Sequence, residues 1–195
     1  VHLGYDLAAR RRGGYLPGTT SGEAAGTRIV ALAADYEADH VVVAGDLRHS
    51  TRDVDDAERA EVSQFARAIE RECTLTIVRG NHDAGDAIAG LGETTVRIGD
   101  VDITHVPPAA LPERPVICGH LHPRITVRDE TGTGVRYPCV LEGARTVVLP
   151  AFSEWAGGVE AARLVRTLPH AEWRALPVHD GLIADLGIVF LPAGA

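Results

Sequence analysis

Three times within the first 125 residues, a short apolar run leads through a glycine to a side chain that can bind metal or move a proton. Val41-Val42-Val43 leads to Gly45-Asp46, Thr76-Ile77-Val78 to Gly80-Asn81-His82-Asp83, and Val116-Ile117 to Gly119-His120-Leu121-His122. β-Branched residues fit the pleated surface of a strand. A strand that stops at glycine aims the next carboxylate, amide or imidazole from a rigid edge. Three such edges converging on one rim make a metal site, and that requirement narrows the folds open to this chain.

The segments between these edges supply the layering. His40 to Ala44 reads as a strand that is apolar on both faces, as in a covered parallel sheet. Thr20-Ser21-Gly22-Glu23 fits a capping box. It opens a helix from Gly22 to Asp39 with Ile29, Val30, Leu32, Ala33 and Tyr36 on its apolar face. A second helix is expected from Asp53 to Cys73, acidic at its start as the helix dipole favours. It would turn Val54, Ala57, Val62, Phe65, Ala66 and Ile69 inward. With Leu75 to Val78 as the next strand, the alternation predicts α/β layering.

After residue 90 the pattern changes to strands. Segments 94–98 and 101–104 flank Gly99-Asp100, and 124–128 and 135–140 flank Asp129 to Gly134; both read as hairpins. Residues 116–118 and 146–149 are further strands, and the tail holds short ones near 162–167, 174–178 and 186–191. No repeat or linker interrupts the chain, so a single domain over residues 1–195 is expected, with helices early and strands late.

The 19 basic and 27 acidic residues give a net charge of −8. A surface of that sign has no global attraction for nucleic acid or anionic membrane, which leaves only local basic patches to meet phosphates. The three cysteines are odd in number, widely spaced and unlike a zinc-site pattern. They point to a reduced, cytoplasmic chain. No uncharged apolar run approaches the roughly 18 residues that a membrane span needs.

Two-metal hydrolysis of a phosphate ester uses ions about 3.5–4 Å apart that clamp the ester oxygens. Such a pair needs a bridging carboxylate and neutral imidazoles, with few soft ligands. Asp46 suits the bridge, and His2, Asn81, His105, His120 and His122 suit the flanks. His82 is then left to act as an acid or to stabilise the transition state. Each motif alone has an ordinary reading. Gly-Asp makes turns, Asn-His-Asp makes solvated loops, His-x-His occurs without metal, and Arg10-Arg11-Arg12 makes a solvated face. His49 lies close enough to Asp46 to sit behind a ligand, and His40, His170 and His179 read as surface or structural residues. The weight rests on the ordered combination.

That combination resembles the calcineurin-like metallophosphoesterase superfamily. Its pattern runs Asp-x-His, Gly-Asp, Gly-Asn-His-Asp or Glu, a lone His, and Gly-His-x-His. The matches are Val1-His2, Gly45-Asp46, Gly80-Asn81-His82-Asp83, His105 and Gly119-His120-Leu121-His122. The flanking text is similar to the branch associated with DNA ligases and helicases in prokaryotes. It comprises His2-Leu3-Gly4-Tyr5, Leu16-Pro17, Gly45-Asp46-Leu47-Arg48-His49-Ser50, Gly119 to Pro123, and Leu149-Pro150-Ala151-Phe152.

The resemblance implies two packed mixed β-sheets flanked by helices, a four-layer α/β sandwich. It implies one metal on His2, Asp46 and His122 and another on Asp46, Asn81, His105 and His120. The expected ions are Mn²⁺, with Fe or Zn as substitutes. His82 would protonate the leaving oxygen or steady the phosphoryl charge, and Asp83 would orient His82 as outer groups orient imidazoles. The acid of the first motif would precede Val1, so the chain reads as N-terminally truncated, lacking its first strand and holding one metal tightly at best. The implied activity is that of a metal-dependent phosphoesterase acting on phosphodiesters, DNA or RNA, as a nuclease in DNA repair with a DNA ligase or helicase as partner. Arg10, Arg11, Arg12 and Arg48, with Arg52, would meet phosphates at the rim. Three Phe, four Tyr and two Trp give no aromatic ladder for stacked bases. The alternatives are a small-molecule phosphatase or nucleotide pyrophosphatase, and a non-catalytic scaffold that keeps the fold.

Overall fold

The β-branched run at 40–43 does form a strand, and its partner comes from the run at 74–77. In the computed structural model, residues 1–16, 21–49, 55–83, 93–169, 171–180 and 182–190 are described. They fall into two compact units, Val1–Thr94 with Phe152–Trp155, and Thr95–Ala151 with Ala156–Ala195.

The first unit is built from α1 (Tyr5–Arg11), α2 (Gly22–Asp35), β1 (His40–Val43), α3 (Asp56–Glu70) and β2 (Thr74–Ile77). β1 and β2 pair in parallel, His40 with Thr74 through Val43 with Ile77. Parallel neighbours need a crossover, and α3 supplies it. Beyond β1 the chain continues beside the N-terminal segment. Leu3 bridges Arg48 in parallel, and His2 and Leu3 donate to the Asp46 and Leu47 carbonyls at 2.9 and 2.8 Å. Leu3, Ala25, Val43, Leu47, Val62, Phe65 and Ile69 form the core, with Ile29, Val30, Val41 and Phe152 against it. α2 and α3 meet at closest approach, where a β-carbon on Gly22 would lie 2.0 Å from the Glu61 carbonyl oxygen.

The helices differ from expectation at their ends. Ser21 caps α2, its Oγ accepting from Ala24 N at 3.2 Å; Thr20 lies outside the described residues. α2 stops at Asp35 rather than Asp39 because Glu37 turns left-handed (φ 52°). Ala38 and Glu37 then donate to the Ala33 and Ala34 carbonyls, the paired bonds of a Schellman stop. Leu32 and Tyr36, expected inside, are 39% and 78% exposed. Asp55 caps α3, accepting from Glu58 N at 2.9 Å. Val62, Phe65 and Ile69 are buried as expected while Ala57 is exposed; Asp53 and Val54 lie outside the described residues. α1 lies where the sequence shows no helix signal; Gly4 precedes it and gives no side-chain cap.

The second unit holds β3 (Thr95–Ile98), β4 (Val101–Thr104), β5 (Val116–Cys118), β6 (Pro123–Arg128), β7 (Gly134–Glu142), β8 (Thr146–Val148), β9 (Val159–Glu160), α4 (Ala161–Leu164), β10 (Trp173–His179), β11 (Leu182–Ile183) and β12 (Val189–Phe190). Its strands run in the order β11-β10-β7-β8-β5-β4-β3, with β6 on β7 and β12 on β10. β5 is parallel to both β4 and β8. The two expected hairpins are present as antiparallel β3–β4 and β6–β7 pairs. Trp173, Leu141, Cys118, Cys139 and Val148 fill the core. The strand expected near 162–167 is instead the short helix α4, in keeping with the helix-forming Ala161-Ala162-Arg163-Leu164. The chain is thus a mixed α/β protein with sheets flanked by helices. No helix among the described residues is long and apolar enough to cross a membrane.

Candidate metal centre

In the first unit, the loop after β1 turns at Gly45 (φ 80°) and Asp46 (φ 47°). The loop after β2 comes against it, and Gly80 is where they touch. A β-carbon on Gly80 would lie 2.2 Å from the Asp46 amide nitrogen, so no other residue fits. Asp46 is buried, as is His2. Its Oδ1 accepts from the His82 amide at 2.9 Å, and its Oδ2 lies 3.9 Å from His2 Nε2.

Asp83 does not orient the His82 ring in the way expected. Its carboxylate accepts from the amides of Gly80 (2.9 Å), Arg48 (3.2 Å) and Leu47 (3.3 Å), which ties the two loops together. The His82 ring is held by a different group. Its Nδ1 lies 2.6 Å from the His49 carbonyl oxygen. A carbonyl only accepts, so Nδ1 carries the proton and Nε2 keeps its lone pair for ligation or proton transfer. The His2 ring stands edge-on to His82, with centroids 5.3 Å apart. Ring nitrogens of His2, His49 and His82 all lie within 4.8 Å of one another. Burial lowers the pKa of His49, helped by His82 and Arg12. The Tyr5 ring lies 4.1 Å from it.

Arg48, expected at the rim, is instead fully buried. Its guanidinium donates to the His82 carbonyl at 3.0 Å and lies 3.9 Å from Glu58 Oε1. The chain after Asp46 runs inside rather than across the surface, with Leu47 also fully buried. Arg10, Arg11 and Arg12 are exposed at the end of α1. Arg10 pairs with Asp6 at 3.5 Å and Arg11 with Asp55. Arg52 lies outside the described residues. Asn81 is exposed in the loop after β2.

In the second unit, His105 follows β4 and is buried. Its carbonyl accepts from Gly119 at 3.1 Å, and its Nε2 lies 3.0 Å from His120 Nδ1. Two imidazole nitrogens this close share a proton or turn both lone pairs to a cation. His122 follows two residues later, its Nδ1 held 3.2 Å from the Gly157 carbonyl, which places a proton on Nδ1 by the same reasoning. Of the other histidines, His40 bonds Thr76 at 2.8 Å, and His170 lies outside the described residues.

One backbone feature recurs at four of these residues, and elsewhere at Glu37 and Asp180. His2 (φ 63°), Asp46 (47°), His120 (70°) and His122 (47°) all sit in the left-handed region. Non-glycine residues rarely adopt it, and such strain gathers at functional sites. The donor set also fits a divalent ion. It is imidazole, carboxylate and amide, while Cys118 and Cys139 are buried in strands. That chemistry suits Mn, Fe or Zn better than a soft ion.

The sequence profile of the calcineurin-like phosphoesterase family matches residues 24–136. A crystal structure of the Pseudomonas putida nuclease MPE is similar to this chain, with 25% sequence identity and a TM-score of 0.64. The similarity covers 94% of this chain and 82% of that one. A comparison with curated proteins finds no match.

Proposed function

Because the chain belongs to the calcineurin-like phosphoesterase family, and is therefore a metal-dependent hydrolase of phosphoester bonds, we propose that it cleaves phosphodiester bonds of nucleic acid at a two-metal centre. The observation that carries this reading is the buried Asp46 carboxylate, set against the His2 ring on one oxygen and the His82 amide on the other. In this reading residues 1–195 act as one catalytic domain. His2, Asp46 and His122 hold one ion, and Asp46, Asn81, His105 and His120 hold the other. Mn²⁺ is the proposed ion for both. When bound, the ions polarise the phosphoryl oxygens and lower the pKa of a water.

The chain's own residues do the rest. His82, fixed through Nδ1, presents Nε2 to the leaving oxygen and, with both ring nitrogens protonated, gives it the Nε2 proton. Asp83 keeps the two loops in register. Arg10, Arg11 and Arg12 lie exposed and meet flanking phosphates by local charge despite the acidic total. The resemblance to a nuclease supports nucleic acid as the substrate. A role in DNA repair beside a DNA ligase or helicase in the cytoplasm rests on the flanking motifs alone.

The test is hydrolysis of bis(p-nitrophenyl) phosphate and of the mono-ester, in Mn²⁺ and in chelator, with His82→Ala alongside. Mn²⁺-dependent bis-ester turnover that falls by about 10²–10⁴-fold in the variant is expected for loss of a general acid. Turnover of the mono-ester alone would replace the nuclease reading with that of a phosphatase.

A further inference from the structure

Among the described residues, Arg48 and Glu58 form a buried pair, 0% and 1% exposed, with Nη1 3.9 Å from Oε1. The other arginine–carboxylate pairs described here lie at the surface, each with an arginine at least 42% exposed. A buried ion pair is poor value as a stabiliser, since desolvation offsets most of the attraction and an apolar replacement is often neutral or better. Its geometry suggests another use.

Arg48 reaches the His82 loop twice. Its backbone N–H donates to Asp83 Oδ1 at 3.2 Å, and its guanidinium donates to the His82 carbonyl at 3.0 Å. Glu58 sits in the first turn of α3, where Asp55 caps its amide. It also lies under the Gly4 turn, where a β-carbon would come 3.4 Å from its Cγ. A connected path therefore runs from α3 through Glu58 and Arg48 to the His82 backbone. The side chain of His82 has its own anchor 2.6 Å away on the His49 carbonyl. The ring is aimed only if the backbone and the ring are held together.

We propose that Glu58 and Arg48 are positioning residues for the hydrolysis, a strut that fixes the His82 carbonyl so that the imidazole stays on His49 with Nε2 aimed at the substrate. This rests on the role given to His82 above. It does not require either residue to touch substrate.

The test pairs Arg48→Met with the double variant Arg48→Met/Glu58→Met, and adds Glu58→Gln. Urea midpoints, kcat and KM on the bis-ester, and the hydrogen-bonded His82 Nδ1–H proton resonance of the metal-free protein are measured for each. Arg48→Met alone takes the guanidinium from beside the buried Glu58 carboxylate, and its midpoint falls. The double variant regains the midpoint, yet its kcat stays down by about 10²-fold, the scale of a misplacement of about 1 Å. Its KM stays within about threefold and the Nδ1–H resonance is lost. Glu58→Gln keeps the shape of the site and loosens Arg48, so kcat falls roughly tenfold at constant KM. Wild-type kcat in the double variant or in Glu58→Gln would overturn the proposal. If the wild-type protein hydrolyses no phosphoester with any divalent ion, the nuclease reading fails separately. The resonance then decides the strut alone: its loss in the double variant upholds the strut, and its persistence overturns it.

Discussion

Gly80 lies against Asp46 with no room for a side chain between them. A β-carbon there would come within 2.3 Å of the Asp46 Oδ1 as well as 2.2 Å of its amide nitrogen. Neither can move away easily, because Asp46 Oδ1 already accepts from His82 N. Gly80→Ala is therefore expected to cost about 3 kcal/mol, the upper range for overpacking, and to weaken divalent-metal binding. Urea unfolding and a metal titration check it; an unchanged titration would mean that the loops can part without disturbing Asp46.

Asp83 carries three backbone amides, from Leu47, Arg48 and Gly80. In Asp83→Ala those buried donors lose their acceptor, and an unmet buried donor costs about 1–3 kcal/mol. Destabilisation of roughly 3 kcal/mol is expected, with a smaller loss in Asp83→Asn, which keeps one acceptor oxygen. Equal urea midpoints for wild type and the Ala variant would show that water replaces the carboxylate.

The cysteines sort by reactivity. Burial pushes the thiols of Cys118 and Cys139 up to about 12, so neither forms thiolate near neutral pH, and only thiolate is nucleophilic. Cys73 is partly exposed. Iodoacetamide at pH 8 followed by peptide mass spectrometry should label Cys73 in the native protein, and Cys118 and Cys139 only after unfolding.

Acid stability follows from three surface carboxylates held below their usual range. Asp55 is held by the Glu58 amide and Arg11, Asp102 by Arg97, and Asp129 by the Thr131 hydroxyl and the turn amides. Each has a folded pKa below the 3.8 of the free group, so on acidification the unfolded chain takes up protons first. Their contribution is complete above that value and disappears as pH falls through the folded values. The urea midpoint, followed from pH 5 to pH 2, should fall, and Asp129→Asn should make the fall shallower. An identical slope in that variant would remove Asp129 from the account.

Much of this architecture was legible in the sequence, for identifiable reasons. β1, β2 and β5 follow β-branched runs and end within a residue of where those runs end. Both hairpins sit on glycine-bearing turns. Helix ends were less legible. α2 stops at Asp35 because Glu37 turns left-handed without being glycine, and nothing in the local sequence marks that. The histidines and Asp46 proposed for the site stand out in the sequence because ligand chemistry draws on a few residue types. Arg48 was misread because an arginine beside a metal-type motif suggests a phosphate contact. Its burial depends on Glu58, ten residues away on another element, and only the fold brings the two together. The anchor on the His82 ring is a backbone carbonyl, and no residue type records it.

The left-handed backbone at His2, Asp46, His120 and His122 sets selection for function against selection for durability. A side-chain-bearing residue in that conformation costs about 1–2 kcal/mol relative to glycine, and asparagine tolerates it better than histidine. A chain redesigned only to survive heat would be drawn first to these four positions. It would gain stability there and, on the function proposed above, lose its metal ligands, while keeping an almost unchanged fold.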